Sequence, residues 1–485
     1  MTRQEQLSEI GKMQIEDYGS KFIIPVPHKF YKNSSDIFTQ VEKRGWTILN
    51  RHLNAKGETI PKQFGAYNIK TYIYENMIPY YFDHEAQEFL DESKTLVLKK
   101  DIHQKMHIAG FDFTLVDIDL WIFEEYISFF TINVDIDKTK YSVDELIVFN
   151  RSLRNFKFLT MEVLGDTINL TQQPVYEGEK YVVLEKLLEL TLIDDESFLN
   201  VKTIDCQYSV TKERDNELFP IYNSSANAKL LTAIQTKKTT FSNGEEVEPF
   251  DKNLINHLSV NEMSILDEAP FYIASCSSMQ GSEVSFIAHD DYIYSLVDDN
   301  GYNLWKYSSG ITLHDSCAFI GMGGEDKKCG PLVSNMQSGF YFVYVLNLYI
   351  NFQIRHIEHQ LIDENFESID INYWYKKLQK LKNQFITSDI AIKFQENEVH
   401  NSISTAFKSA DMLEEVTNNL METKEITQSN RGVYMTLFGF IFVTIFQEPI
   451  QKFVDTYSIY VIPALLVAAG FVFIYRKKIR NLIKQ

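Results

Sequence analysis

The stretch from Phe340 to Arg431 contains no glycine or proline, although the chain of 485 residues holds 20 and 11 of them. Both residue types interrupt helices, so their absence over this length predicts a helical segment. Within it we expect one helix from Gly339 to Ile362 and a basic amphipathic helix from Asn372 to Phe385. The acidic residues between these two helices predict a turn.

The last part of this stretch predicts one long helix that begins near Ser388. Its apolar residues recur at intervals of three and four, which is the seam of a helix packed on other helices. These residues are Val399, Ile403, Ala406, Ala410, Leu413, Val416 and Leu420. Because no glycine or proline follows before Gly432, we expect the helix to continue into the next apolar segment. An amphipathic helix in a separate bundle is the alternative.

Two apolar runs near the end of the chain predict a transmembrane hairpin. The first begins at Gly432 and, extended to Ile450, carries a single acidic residue; the second, Tyr457 to Tyr475, is uncharged. About 20 apolar residues in a helix cross the hydrocarbon core of a bilayer. We therefore expect spans at about 432–450 and 457–475. A buried helix of a globular domain is the alternative for the second run.

A basic tail follows the second run in a chain whose net charge is −19. The positive-inside rule predicts that this tail is cytoplasmic, and two spans would return the chain to the same side of an inner or plasma membrane. The polar N-terminus does not have the pattern of a signal peptide. Four scattered cysteines suit a reducing compartment, and the acidic charge disfavours direct nucleic-acid binding.

The residues before the helical stretch predict an α+β or α/β domain. Residues Phe113 to Ile136 predict two strands, and Asp299–Gly301 predicts the turn of a hairpin within DDYIYSLVDDNGYNLWKYSS. The letters SVDELIVFNRSLRNF predict a helix. We therefore expect three parts: a cytoplasmic ligand-sensing domain at 1–330, antiparallel helices with a long stalk at 331–431, and a membrane hairpin with its tail at 432–485.

This layout from residue 340 to 485 resembles the CorA family of magnesium channels. In that family an α/β cytoplasmic domain precedes antiparallel helices, a stalk helix, two spans and a basic tail. The resemblance implies a homo-oligomeric ring, a pentamer in that family, whose first span lines an ion pore through the lipid bilayer. It also implies Mg²⁺ as an ion that the protein binds or conducts.

The Gly-Met-Asn signature of the family is missing, and TIFQEPIQKF stands in its place. CorA-like proteins without the signature occur beside type III CRISPR systems, where a nucleotide second messenger such as an adenosylmethionine–AMP conjugate opens them. The resemblance therefore implies a gated ion channel in antiviral defence, and no enzyme. The alternatives are a housekeeping magnesium or divalent-cation transporter and a non-conducting, membrane-anchored sensor or scaffold.

Three sets of residues are candidates for function. The predicted pore stripe consists of Ser429, Thr436, Phe440, Thr444 and Gln447. The predicted basic collar consists of Arg476, Lys477, Lys478 and Arg480. In the glycine-rich segment GMGGEDKKCG, Lys327 and Lys328 are candidates for holding the phosphate of a nucleotide, with a plain linker as the alternative.

No metal ligand set stands out in the sequence. Acidic groups such as Asp298–Asp299 and Asp194–Glu196 offer oxygen ligands for divalent cations, but most such groups are solvated turns. His356 and His359 are three residues apart on a predicted helix, and two histidines alone do not define a zinc site.

Overall fold

The computed structural model describes fifteen parts of the chain. They are residues 1–27, 29–30, 45–49, 96–108, 110–123, 127–154, 160–163, 166–169, 199–200, 228–247, 263–280, 288–323, 330–363, 371–382 and 394–422. Every structural statement below refers to these residues.

Strands make up most of the described N-terminal half. They are β1 (Ile15–Pro27), β2 (Lys29–Phe30), β3 (Thr47–Ile48), β4 (Leu96–Ile108), β5 (Phe111–Ile122), β6 (Ile127–Ile136), β7 (Thr160–Val163), β8 (Asp166–Asn169), β9 (Leu199–Asn200), β10 (Lys229–Thr236), β11 (Gly301–Trp305), β12 (Ser308–Leu313) and β13 (Ser316–Met322). Nine of them form one mixed sheet in the order β11-β12-β13-β10-β1-β6-β5-β4-β3. Within that sheet β10 and β13 are parallel, and the other pairs are antiparallel.

Helices cover both faces of this sheet. They are α1 (Arg3–Gly11), α2 (Val143–Arg154), α3 (Ile265–Ser275), α4 (Asp290–Asn300), α5 (Leu332–Asn335), a π-helical turn (Met336–Phe340), α6 (Tyr341–Asp363), α7 (Ile371–Leu381), α8 (Phe394–Phe407) and a helix over 409–422, here α9. The predicted helices at 339–362 and 372–385 are thus confirmed with shifted ends, as is the helix at SVDELIVFNRSLRNF, which is α2. The two strands predicted between Phe113 and Ile136 are confirmed as β5 and β6.

Alternation along the strands sends aromatic side chains to both faces. On one face, Trp121 packs edge-on against Tyr341 of α6 with ring centroids 5.9 Å apart. On the other face, Phe22 and Phe113 pack on Phe149 of α2 at 6.5 and 5.5 Å. The sheet is therefore a buried middle layer, which explains strands such as β10 and β13 that are buried along almost their entire length.

A glycine permits the close approach of the π-helical turn to the sheet. A Cβ at Gly19 of β1 would lie 2.7 Å from the Met336 Cε and 3.0 Å from the Val333 Cγ1. A side chain at residue 19 would therefore displace the Met336 methyl and crowd Val333, and glycine avoids both contacts.

The hairpin predicted around Asp299–Gly301 is wrong. Residues Asp290–Asn300 form α4, whose first turn is capped by the His289 side chain and carries Asp290 and Asp291. The acidic first turn favours a helix, and Gly301 ends it and begins β11. The hairpin of this region lies one element later, between β11 and β12.

The predicted unbroken stalk helix from residue 388 is also wrong. Helix α8 ends at Phe407, Lys408 adopts a left-handed φ of 53°, and α9 begins at residue 409. The apolar seam continues through this break, since Ile403, Leu413 and Leu420 are all buried. The apolar spacing therefore predicted the buried face correctly but did not predict the interruption of the helix at Lys408.

Within the described residues, no helix combines the length and the apolar character needed to cross a membrane. On this finding the predicted CorA-like fold class with a transmembrane hairpin is wrong, and so is the localisation in a cell membrane. The descriptions as an ion channel, magnesium transporter or CRISPR-associated defence protein depended on that hairpin and are withdrawn with it. The predicted spans at 432–450 and 457–475 lie outside the described residues.

Helix α6 shows why apolar runs are ambiguous in this chain. From Tyr341 to Ile354 it carries no charged side chain, and that segment is buried throughout. The sheet covers it on one side, and α8 contacts it through Tyr344 and Phe407, whose ring centroids are 6.2 Å apart. Burial among protein elements thus accounts for its apolar composition.

The chain divides into two compact units. The first comprises Met1–His359 and Lys376–Glu414, and the second comprises Gln360–Tyr375 and Glu415–Gln485. The sheet and the sites described below belong to the first unit.

Candidate anion-binding site

Basic side chains gather at the end of the sheet where the parallel strands β10 and β13 begin. Lys229 is the first residue of β10, and His314 and Asp315 form the turn that leads into β13. The register pairs Leu230 with Ser316, and the Leu230 amide donates to the Asp315 carbonyl at 3.1 Å. Strand pairing therefore brings Lys229 next to a turn that lies 85 residues later in the chain.

Arg154 reaches this end of the sheet from the last turn of α2. Its Nε donates to the Ala228 carbonyl at 3.1 Å, and its guanidinium forms an ion pair with Asp315 and a hydrogen bond with the Cys276 thiol. Burial lowers the pKa of Arg154, but the interactions with Asp315 and Cys276 together outweigh this effect and the net pKa is raised. Burial raises the pKa of Cys276. Arg154 is thus a permanently charged group held beside the start of β10.

Arg355 reaches the same place from α6. Its Nη2 lies 3.1 Å from the His314 Nε2, and its Nε donates to the Asn351 Oδ1 at 3.0 Å. Burial lowers the pKa of His314, and the charges of Lys229 and Arg355 lower it further. A neutral imidazole is the form that can accept a hydrogen bond from a guanidinium, which fits this contact. We call Arg154, Lys229, His314, Asp315 and Arg355 the cationic cluster.

Lys229 is the most unusual member of the cationic cluster. Its side chain is buried, with the residue only 7% exposed, and no described residue forms a hydrogen bond or an ion pair with its Nζ. Burial is the main reason that its pKa falls from 10.5 to about 8, and the charges of Arg154 and Arg355 contribute against the opposing effect of Asp315. Buried ammonium groups normally have a partner, so this site is poised to receive a negative charge.

Two buried hydroxyls near the cluster also have no partner among the described residues. They are the Tyr344 hydroxyl and the Ser316 Oγ. Tyr344 is close enough to Asp315 and Arg154 for their charges to act on it, while burial raises its pKa. Buried polar groups are nearly always hydrogen-bonded. Of the two hydroxyls, only that of Tyr344 is linked to the charges of the cluster, and it is the one that a polar ligand there could engage.

The cationic cluster therefore has the chemistry of an anion site. Three cationic side chains face one carboxylate, and two of the cations are guanidinium groups, which can bind two oxygens of one phosphate. Arg154 and Lys229 are buried, whereas His314 is exposed and Arg355 is partly exposed, so the cluster extends from the interior to the solvent.

A second set of charged residues lies on the α6 face of the sheet and has the opposite character. Lys21 Nζ donates to the Asn133 Oδ1 at 2.6 Å and lies 3.7 Å from the Asp119 Oδ2. The Asn133 amide donates to Asp119 and Asp117, and Lys99 Nζ pairs with the Asp117 Oδ2 at 2.8 Å. We call these five residues the ionic network. It is balanced, with two lysines, two aspartates and an amide that links them.

Helix α6 covers the ionic network with Tyr341. The ring of Tyr341 lies 4.0 Å from the Lys21 Nζ, and its hydroxyl donates to the Thr131 Oγ1 and accepts from the Trp121 Nε1, both at 2.9 Å. Burial lowers the pKa of Lys21 and raises the pKa of Asp119. Because each charge has partners within the network, the network holds neighbouring strands of the sheet together, and it contacts α6 through the Tyr341 ring.

The residues predicted from the sequence do not form this site. The pore stripe, the basic collar and the pair Lys327 and Lys328 lie outside the described residues. Asp298 and Asp299 are exposed at the end of α4, and His356 is buried in α6. No group of three or more potential metal ligands occurs in the part of the chain that the structure describes.

Sequence reasoning missed every member of the cationic cluster, because they come from four separate segments. Two signals were available. Arg355 is the first charged residue after the uncharged run of α6, and Lys229 is the only charged residue of the buried strand β10. Charges inside apolar segments are costly and mark positions worth testing.

Comparison with known proteins adds no constraint on function: no family model, curated protein or solved structure matches this chain. Function is therefore inferred from the geometry of the site alone.

Proposed function

We propose that the α/β domain is a sensor that binds a small phosphate-bearing anion, of which a nucleotide is the leading example, at the cationic cluster. The single observation that supports this proposal is Lys229, a residue only 7% exposed whose Nζ has no hydrogen-bond or ion-pair partner among the described residues and lies within reach of the charges of Arg154 and Arg355. The proposal retains the sensor function predicted from the sequence and assigns it to different residues.

The energetics favour a role in binding over a role in stability. Burying an ammonium costs several kcal/mol unless a counter-charge compensates for it. Asp315 is the one carboxylate at the cluster, and it already pairs with Arg154. A bound anion would supply the missing charge, raise the pKa of Lys229 and offer an acceptor to the Tyr344 hydroxyl. The free energy that the protein loses by burying Lys229 without a counter-charge would then contribute to the affinity for the anion.

The charge balance favours a phosphate over a monocarboxylate. Three cations against one carboxylate leave a formal excess of two positive charges, which matches a dianionic phosphate. The planar guanidinium groups of Arg154 and Arg355 also suit the tetrahedral oxygens of that group. This is a large local excess in a protein with a net charge of −19.

The test is isothermal titration of the full chain with pyrophosphate, AMP and succinate. We expect both phosphates to bind and succinate to bind more weakly. Substitution of Lys229→Met removes one buried charge-assisted contact, worth about 1.5–3 kcal/mol, and should weaken phosphate binding roughly ten- to hundredfold. Lys306→Met removes the same charge at an exposed position in the β11–β12 turn and serves as the matched control.

Two results would contradict the proposal. One is equal weakening by Lys229→Met and Lys306→Met, which would indicate a non-specific effect of charge. The other is the absence of proton uptake: because binding raises the pKa of Lys229 from about 8, the complex should take up a proton at pH 8.5. Titration in buffers of different ionisation enthalpy measures that proton directly.

A further inference from the structure

The cationic cluster is connected by hydrogen bonds to the break between α8 and α9. The Arg355 Nε donates to the Asn351 Oδ1 at 3.0 Å, one helical turn earlier on α6. The Asn351 Nδ2 in turn donates to the Phe407 carbonyl at 3.4 Å. Phe407 is the last residue of α8, so the amide of Asn351 caps the end of that helix.

The junction at Lys408 depends on such support. Lys408 has a φ of 53°, a conformation that side chains other than glycine rarely adopt. Its amide bonds the Thr405 carbonyl at 3.0 Å, and its carbonyl accepts from the Met412 amide at 3.0 Å, which starts α9. The Asn351 amide also lies 3.9 Å from the Met412 sulfur, so one side chain contacts the helices on both sides of the break.

Arg355 determines how Asn351 is oriented. By donating to the Asn351 Oδ1, it fixes which edge of the amide is the acceptor and turns the Nδ2 edge toward the Phe407 carbonyl. The same guanidinium contacts His314 in the cationic cluster at 3.1 Å. An anion that draws this guanidinium into the cluster would therefore compete with Asn351 for it.

We propose that anion binding at the cationic cluster releases Asn351 through Arg355 and loosens the α8–α9 junction at Lys408. This inference rests on the proposed function and adds how anion binding changes the structure away from the site. The junction is a suitable output because Lys408 holds a rare backbone conformation between two helices.

The test is hydrogen exchange of the full chain with and without saturating pyrophosphate, with binding measured on the same samples. We expect the amides of 408–412 to exchange at least threefold faster when pyrophosphate is bound. In Asn351→Leu, which removes the donor to Phe407 without adding a charge beside Arg355, exchange at 408–412 should be fast already and should not respond further. Pyrophosphate affinity should stay within about threefold.

Asn347→Leu is the matched control. Asn347 lies one turn earlier on α6 and contacts His400 in the middle of α8 at 2.9 Å, so this variant should keep the response of 408–412. If Asn351→Leu does not fold, Asn351→Ser is measured in the same way. Pyrophosphate binding with unchanged or slower exchange at 408–412 would overturn the coupling and leave the proposed function intact. Absence of binding would overturn both.

Discussion

The ionic network and the cationic cluster are two sets of buried charges in one domain, and they differ in balance. In the ionic network, Lys21 and Lys99 face Asp117 and Asp119, and Asn133 bonds both acids. In the cationic cluster, Asp315 pairs with Arg154 and leaves Lys229 without a partner among the described residues. The first set is complete by itself, whereas the second is complete only with an added anion.

This difference shows which buried charges to test for a role in function. Perturbed pKa values occur in both places, because burial lowers the pKa of Lys21 as well as that of Lys229. A shifted pKa alone therefore does not separate structure from function. The distinguishing property is whether the protein itself supplies the partners of the buried charge.

The largest effect is expected from Lys21→Met. It leaves Asp119 buried without its cation, and breaking a buried ion pair by removing one partner costs about 3–5 kcal/mol. Urea denaturation at pH 7 should show the free energy of unfolding falling by that amount. A loss below about 1 kcal/mol would mean that the network does not hold neighbouring strands of the sheet together and would remove the contrast with the cationic cluster.

Lys229→Met should change the free energy of unfolding in the opposite direction from Lys21→Met. A pKa lowered from 10.5 to about 8 corresponds to about 3 kcal/mol of destabilisation when the lysine is charged in both states, so Met should stabilise the anion-free protein at pH 7 by up to about that much. Lys306→Met should change stability by less than about 0.5 kcal/mol.

The pH dependence sharpens the same prediction. Between about pH 8 and 10.5 the folded protein releases the Lys229 proton while the unfolded chain keeps it, so the wild-type free energy of unfolding should rise with pH relative to Lys229→Met. Above pH 10.5 the two proteins should converge. If the difference in free energy of unfolding between the wild type and Lys229→Met stays constant from pH 7 to 10.5, Lys229 is not desolvated.

Lys99→Met should cost less than Lys21→Met, about 1–2 kcal/mol. Its side chain is 24% exposed against 9% for Lys21, so water can replace part of what the lysine gives to Asp117. Thermal unfolding of both variants side by side measures the difference. Equal losses would indicate that burial does not set the strength of the network.

The smallest effect is expected from the double variant Lys21→Met with Asp119→Leu. Replacing both members of a buried ion pair by apolar residues of similar volume is often close to neutral, so stability should return to within about 1 kcal/mol of the wild type. Comparison with Lys21→Met alone in a double-mutant cycle isolates the pair. If the double variant is as unstable as Lys21→Met, the stability is lost through altered packing and not through the unpaired charge of Asp119.

Local elements were largely predictable from the sequence. The alternation in β5 and β6, the helical spacing in α2 and the apolar seam through α8 and α9 each follow from neighbours a few residues apart. Such patterns report which face is buried and leave open what buries it. For this reason the two apolar segments near the end of the chain suggested a membrane. Another apolar segment, α6, is covered by the sheet and α8.

The sequence by itself determined that this chain has a mixed N-terminal domain and a long helical segment, because both depend on short-range spacing and on the absence of glycine and proline. Only the tertiary structure decided the site. Arg154, Lys229, His314 and Arg355 are up to 201 positions apart, and the parallel pairing of β10 with β13 brings their segments together. The partner of a buried charge lies on another element, so only the packing of the elements decides whether the charge has one. The energy of the contact then depends on distance and burial.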